Sequence, residues 1–518
     1  MEGAAVFEKR LSPPVVGDRL VVVLYDQLNL AMWPAEVLAE ATLVFVESLA
    51  YATFLPHHPL KLTYILSAQR HFALDCAKAG YRVLNWRTTG THADGAAEVL
   101  QAYPGTHLTY MEPSEWEPRH QLRALRSPDP TRLTEIPNAF FLTPKAEFTS
   151  KIRRGYRLET FYREMRKRTG YLMAHGKPVG DRWNFDQENR QKLPKGVKVP
   201  PVPTFPMDEI TQEVWALVQG ALPHPYGQDI APFALAVTRT QALALLADFV
   251  AQRLDSFGPY EDAMRTGEPF LFHSVLSIYL NNGLLLPQEV CEQAIAAYDA
   301  GQARLNSVEG LVRQVLGWRE FIRIYYEAQM PAVREANHFG FTEALPTAFW
   351  DGEIELACVR DALHQVHTRA YSHHIQRLMI LSNFSNLTQT DPRALNQWFY
   401  AAYADAYEWV ELPNVLGMAT YADGGILASK PYIAGGNYVR KMSDACDRCA
   451  YDVKQKTGDR ACPLNYLYWD FVAQHRADFL ENGRVSLALI TYDKKTEVEK
   501  QAIADSATRF RQQLRRTG

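Results

Sequence analysis

The chain has 518 residues, 47% hydrophobic and 22% charged, with a formal net charge of −3. That is too long for one ordinary core and too apolar for a disordered chain, so two or three globular domains are expected. The N-terminal stretch MEGAAVFEKRLSPP lacks an apolar leader, and LVVVLY at 20–25 is far too short to cross a bilayer, which predicts a cytoplasmic protein without a membrane partner.

In chain order, RLVVVLY at 19–25 reads as a buried strand. A short apolar run follows at 43–46, and KLTYILS at 61–67 leads into the helical pattern AQRHFALDCAKAG. YRVLNW at 81–86, the helical GAAEVLQAY and HLTYM at 107–111 continue the alternation. Strands alternating with helices predict a Rossmann-like parallel sheet, with ligands beyond the carboxyl ends of its strands. Asp26, Gln27 and Glu47 stand at those ends. Neither GxGxxG nor a phosphate loop occurs, which argues against an ordinary dinucleotide or nucleoside triphosphate site.

Residues 151–170, KIRRGYRLETFYREMRKRTG, carry eight basic and two acidic side chains. Such a run is either a solvated helix face or a partner for phosphates. The tail RFRQQLRRTG adds a smaller basic cluster. LPKGVKVPPVPTFPMDE at 193–209 has the composition of a linker. Beyond it the pattern is helical almost throughout; in TQALALLADFVAQRLDSFG, Thr240 is the expected N-cap and Gly258 the stop. The expected organisation is an α/β domain over 1–145, a connecting segment with a basic helix over 146–209, and a large helical domain over 210–518.

Six cysteines in a cytosolic chain argue against a disulfide scaffold. Cys76 and Cys291 sit among Ala and Leu in helical patterns and read as buried core thiols. Cys446-x-x-Cys449 and Cys462-Pro463 place three thiols within seventeen residues, and Cys358 is the candidate for a fourth. Spacing alone fits a structural zinc about as well as an iron–sulfur cluster. The Pro after Cys462 and the nearby Tyr451, Tyr466, Tyr468, Trp469 and Phe471 tilt the choice towards a cluster.

Several helical segments carry candidate chemistry. His273, Ser274 and Ser277 follow a Gly/Pro turn, where hydroxyls at a helix start suit phosphate oxygens. GWREF at 317–321 sets Arg319 beside Trp318, YSHHIQRLMILSNF at 371–384 pairs His373 with His374, and ADAYEWVELPNVLGM at 404–418 has acids at 405, 408 and 411.

RWNFDQENR at 182–190, GWREF, SHHIQRLMILSNF, KPYIAGGNY from 430 and the four cysteines, in this order, resemble the iron–sulfur bacterial cryptochromes and photolyases. The repair-active members of that family are (6-4) photolyases. The resemblance runs from VVLYDQLN near the N-terminus to the last cysteine. It implies FAD in the helical domain, held by His273, Ser274, Ser277, Gln314, Arg319, Asp405 and Glu411. It implies a [4Fe–4S] cluster on Cys358, Cys446, Cys449 and Cys462. His373, His374, Tyr432 and Glu411 would be catalytic, and Asp186, Asn189, Met418, Tyr432 and Tyr438 would meet the DNA lesion. Trp398 and Trp350 would pass electrons to the flavin; Phe399 stands where no redox tyrosine is available, and Tyr400 is the alternative. A 6,7-dimethyl-8-ribityllumazine antenna would lie at Asp26, Gln27 and Glu47, although Glu47–Phe54 lacks the second acid and terminal tyrosine of the family's E-V-M-x-E-A-x-Y segment.

The implied function is light-driven repair of (6-4) photoproducts in UV-damaged DNA by a monomer, with a blue-light cryptochrome photoreceptor as the alternative. A third class, cluster-bearing nucleic-acid-binding proteins such as the large subunit of primases, leaves GWREF and the α/β domain unexplained.

Overall fold

Five parallel strands form the N-terminal sheet: β1 (Arg19–Val23), β2 (Thr42–Ser48), β3 (Arg82–Thr88), β4 (His107–Met111) and β5 (Leu133–Ile136), in the order β3-β2-β1-β4-β5. The computed structural model describes residues 6–11, 15–125, 130–221, 226 and 230–516; part of the stretch read for a leader lies outside them. In β2 every residue is buried, as a sheet covered on both faces requires. Val22 of β1 sits opposite Val44 of β2 and Tyr110 of β4. LTEI of β5 is too short and mixed to announce itself as a strand.

KLTYILS is helical, not extended: it lies within Pro59–Lys78, where Pro59 occupies the first turn and the His58 ring accepts the Leu60 N–H at 3.1 Å. The helix His92–Ala102 starts on a reciprocal Thr91–Asp94 capping box. Its Gly95 rests on β2, and a Cβ there would come within 2.5 Å of Val46 Cγ1.

An α/β sheet followed by a large helical region is the architecture the alternation predicted. The details differ in three places. Glu209–Ala221, assigned to the helical domain from sequence, packs on the sheet's own helix: Val214 and Val218 bury against Leu62 and Ala52, and Glu213 binds Arg70 at 2.7 Å. Thr238, not Thr240, caps Arg239–Gln252, because Thr238 is the residue whose hydroxyl reaches the Gln241 N–H. Gly258 does not end that helix; it lies inside a second one, Leu254–Tyr260, where a Cβ would come within 2.7 Å of Ser307 Cα. The linker-like stretch lies against the helical region, with Arg265 donating to the Val197 carbonyl at 3.0 Å.

Three π-helical turns, Arg313–Arg319, Gln376–Ser382 and Pro413–Ala419, interrupt the helices, and all three border one cavity. Such bulges turn side chains off the regular helical faces and gather at functional sites. Among the described residues no helix is long and apolar enough to cross a membrane.

Candidate active site

The cavity in the helical region has a volume of about 790 Å³, within the range of cofactor and ligand sites, roughly 300–1,000 Å³. Its polar wall is organised by Arg377 and Asp405. The guanidinium meets the carboxylate through two bonds of 3.0 Å each, donates to the Ser372 carbonyl at 2.7 Å, and lies 4.1 Å over the Tyr403 ring. Ser277 Oγ donates to Asp405 at 2.7 Å, and Asn281 donates to the Asp405 carbonyl at 2.8 Å. This bidentate geometry fixes both side chains. The strained backbone of Val275, a β-branched residue at φ 58°, turns the chain between Ser274 and Ser277 on the same wall.

Glu411 borders the cavity and is buried, and burial raises its carboxyl to about 7. Arg377 and Lys61 pull it down while Asp405 pushes it up. Lys61 comes from the sheet's helix Pro59–Lys78 and is itself buried, its ammonium bound to the Tyr400 carbonyl at 2.5 Å. Arg319 and Gln314, from the first π turn, also line the cavity; Arg319 donates to Glu320 at 2.8 Å and lies 5.1 Å over Trp409.

The two adjacent histidines separate. His374 faces the cavity, and its imidazole is lowered to about 4 by enclosure and the nearby Arg377. His373 is fully buried behind the wall, stacked on the cavity-lining His273 with ring centroids 4.4 Å apart. Burial holds both of those imidazoles well down, His273 at about 3. All three rings are neutral at ordinary pH.

Met418, Tyr432, Tyr438 and Asp186 also border the cavity. Asp186 is ion-paired with Arg313. Asn189 does not reach it: its side chain is buried and exchanges hydrogen bonds with Asn306, so it holds the segment rather than a ligand. Trp183, Arg157, Arg163, Arg190, Lys430 and Arg484 line the same cavity. Lys430 is pushed down by burial and by Arg190 and Arg484, so three cations converge there. The basic run at 151–170 is therefore split. Arg157 and Arg163 face the cavity, Arg166 is buried and bound to the Tyr171 and Trp183 carbonyls, and Lys151 is paired with Glu164.

Trp398 does not line the cavity. It is buried one ring behind the cavity-lining Phe399, 5.1 Å between centroids, with its indole N–H on the Phe349 carbonyl. Phe349 packs edge-on against it at 4.8 Å, and the next residue, Trp350, is half-buried with its ring 6.2 Å from Tyr226. Phe399, Trp398 and Phe349 thus form a row of rings leading away from the cavity.

The three antenna candidates are all buried at the strand ends. Gln27 is fully buried, accepting from Leu24 N–H and donating to the Met111 carbonyl at 3.2 Å. Glu47 is tied to Arg70 at 2.7 Å and to Arg87 at 3.3 Å. Asp26 is buried, which raises its carboxyl to about 6. Gln27 and Glu47 are thus bonded within the sheet domain, while one carboxylate oxygen of Asp26 has no hydrogen-bond partner among the described residues.

The four cysteines Cys358, Cys446, Cys449 and Cys462 surround one small cavity under Gly436. A Cβ on Gly436 would come within 2.8 Å of Cys462 Sγ. Among the described residues no three His, Cys, Asp or Glu side chains converge closely enough to hold a single metal ion. Cys76 and Cys291 are buried core thiols, as expected.

A family model described as deoxyribodipyrimidine photo-lyase-related protein matches residues 21–233. A (6-4) photolyase from Agrobacterium fabrum strain C58 is 39% identical over 506 residues, covering 96% of this chain and 100% of the relative. The chain belongs to the cryptochrome/photolyase family. Two solved structures share its fold. A bacterial class III photolyase from Agrobacterium tumefaciens aligns with TM-score 0.55 at 16% identity, over 93% of this chain and 99% of that one. A cryptochrome from Synechocystis sp. PCC6803 aligns with TM-score 0.56 at 14% identity, over 97% and 99%.

Within this photolyase-family cavity, Arg377, Trp183 and the Arg190–Lys430–Arg484 cluster escaped the sequence reading, as did Lys61, buried outside its lining. Arg377 had a signal: it stands on the second π turn, in the segment that supplied the histidines. Lys61 had none, since only tertiary packing carries it to Glu411.

Proposed function

We propose that the chain is a light-driven DNA lyase that reverses (6-4) pyrimidine photoproducts, with FAD in the 790 Å³ cavity. The observation that carries the reading is the joint placement, in one cavity, of an anchored Arg377–Asp405 pair, a raised Glu411, a cavity-facing His374 and a cationic border. FAD suits the side chains present: the buried Arg319 Nε and Nη2 and His273 Nε2 have no hydrogen-bond partner among the described residues. Their N–H groups, with the Ser274 hydroxyl, offer what phosphate and ring oxygens require, while Ser277 spends its proton on Asp405 and positions that acid. Reduced FAD, once excited by light, supplies the electron that such repair needs.

The chain's own residues do the rest. Arg157, Arg163, Arg190 and Arg484 bind DNA phosphates, and a flipped lesion is the nucleotide form that can enter an enclosed cavity. Tyr432, Tyr438, Trp183 and Met418 offer flat and apolar surfaces for the extruded bases. His374 is the imidazole that moves a proton at the lesion. It rests neutral because desolvation and the nearby Arg377 disfavour the cation; the negative charge of an entering phosphate offsets that of Arg377 and raises it towards the range where proton exchange is efficient. His373 is a positioning residue that stacks on His273. Trp398 and Trp350 supply the route by which electrons replenish the flavin. Glu411, raised to about 7, exchanges a proton in the flavin cavity near neutral pH.

Cys358, Cys446, Cys449 and Cys462 hold a [4Fe–4S] cluster. Four thiols lining one cavity suit such a cluster, and the Pro after Cys462 favours it over a structural zinc. The ligands come from the start of helix Ala357–Arg369, the turn at Ala445–Arg448 and the cap of Pro463–Gln474, so the cluster fastens three segments.

The test is illumination of the purified, reduced protein with an oligonucleotide carrying one (6-4) photoproduct. Restored pyrimidines support the reading. Intact photoproduct, with FAD bound and photoreducible, overturns it in favour of a photoreceptor.

A further inference from the structure

We infer that the α/β domain takes no light-harvesting pigment at the carboxyl ends of its strands, because the rings of Tyr25 and Tyr51 occupy that place. Instead they couple the sheet to the segment 400–411 that borders the active-site cavity. Tyr25 follows β1, and Tyr51 lies in the short helix Leu49–Thr53 that follows β2. This is the end of a parallel sheet at which ligands bind. The two rings pack with centroids 4.4 Å apart, and the His92 ring closes on them at 4.9 Å and 5.3 Å.

The space left beside these rings is about 10 Å³, room for one water at most. A pigment site needs roughly 300 Å³ or more, and the same structure keeps about 790 Å³ open in the helical region. Two polar groups at the rim are already used. Ser48 Oγ donates to the Gly90 carbonyl at 2.6 Å, and Gln69 donates to the Val46 carbonyl at 3.1 Å. The other crevice of such a sheet lies where the strand order reverses, between β1 and β4. There Gln27 bridges to the Met111 carbonyl, and Leu28 and Asn29 bind the Asn282 and Gly283 carbonyls of the helical region at 3.0 Å and 3.1 Å. Neither crevice offers volume, and the polar atoms left without a partner there among the described residues, the Tyr51 hydroxyl and one Asp26 carboxylate oxygen, are themselves enclosed.

The plug is fastened and does not behave as a loose lid. The Tyr25 hydroxyl donates to Glu115, which also accepts from the Tyr400 hydroxyl at 2.8 Å and the Glu408 N–H at 2.5 Å. Tyr25 stacks on Tyr407 at 5.9 Å with an interplanar angle of 11°. Tyr400, Tyr407 and Glu408 share a segment with Asp405 and Glu411, so the filled site positions two acids of the cavity. Opening it for a pigment would undo that seam.

The experiment titrates the purified, flavin-loaded protein with 6,7-dimethyl-8-ribityllumazine, following pigment fluorescence and equilibrium dialysis, and records the action spectrum of flavin photoreduction. The pigment should stay free, and the action spectrum should superimpose on the flavin's own absorption. Saturable binding of about one equivalent, or a further band in the action spectrum, overturns the inference. Tyr51→Ala vacates one ring and leaves the Tyr25–Glu115 bond in place; it should gain pigment quenching that the wild type lacks. A folded Tyr51→Ala protein that binds no better than wild type would overturn the assignment of the closure to these rings. The titration reads binding alone, so its result is separate from whether the chain repairs DNA.

Discussion

Replacing Asp405 with Asn removes the counter-charge of Arg377 and changes the size of the side chain hardly at all. The pair is mostly withdrawn from water, with side-chain exposures of 20% for Arg377 and 7% for Asp405. Removing one partner of such a pair leaves a poorly solvated cation, at a cost of about 3–5 kcal/mol. The lower end applies here, because Arg377 keeps some contact with the cavity, its bond to Ser372 and the face of Tyr403. For a chain of 518 residues, with roughly 1 kcal/mol per kelvin of unfolding entropy, about 3 kcal/mol lowers the melting point by about 3 °C. A second consequence follows: Asp405 raises Glu411, so without it the Glu411 carboxyl falls and becomes the counter-ion. The assay is thermal unfolding of flavin-free protein, together with flavin retained after gel filtration. Asp405→Asn should melt lower and release flavin. A variant that melts with the wild type and keeps its flavin would refute the assignment of this pair as the anchor of the cavity.

His374→Ala should bind lesion DNA and flavin normally yet lose repair, whereas His373→Ala should loosen the His273 wall and lose flavin first; filter binding and absorption spectra separate the two. Glu411 binds its proton more tightly folded than unfolded, about 7 against 4.5. Its contribution is therefore intact below pH 4.5 and lost as pH rises through 7, a fall of about 3 kcal/mol that Glu411→Gln should abolish in denaturant titrations across that window. Arg190→Ala and Arg484→Ala should each weaken DNA binding and reduce the salt slope by roughly one, read by fluorescence anisotropy at several salt concentrations. Cys358→Ala should lose iron and sulfide and melt lower by calorimetry, because it releases helix Ala357–Arg369 from the cysteine cavity.

Much of the fold was legible because its strands are buried on both faces and so read as apolar runs. KLTYILS misled for the same reason: a short apolar run fits a buried helix as well as a strand, and only the Pro59 start and the length of Pro59–Lys78 decide it. Candidate residues lying in motifs, such as Arg319, Asp405, Glu411 and the four cysteines, came together around cavities. Two kinds of residue were illegible. Adjacent His373 and His374 look alike in a sequence, and only the turn of the chain into the helix that begins at His374 sends one into the cavity and the other behind it. Polar groups at strand ends, such as Gln27 and Glu47, look like ligands until their hydrogen bonds show that the fold consumes them. Lys61 is the converse, a lysine of the sheet domain whose reach to Glu411 is set by packing between domains.

Repair rests on a cavity-facing imidazole, His374, that performs proton chemistry on a flipped (6-4) lesion. The most direct measurement is repair in matched (6-4) and cyclobutane-dimer oligonucleotides, illuminated with reduced wild-type and His374→Ala protein and resolved by chromatography. The wild type alone should repair the (6-4) substrate, with lesion binding retained in the variant. Undiminished (6-4) repair by His374→Ala, or wild-type repair confined to the cyclobutane dimer, would contradict it.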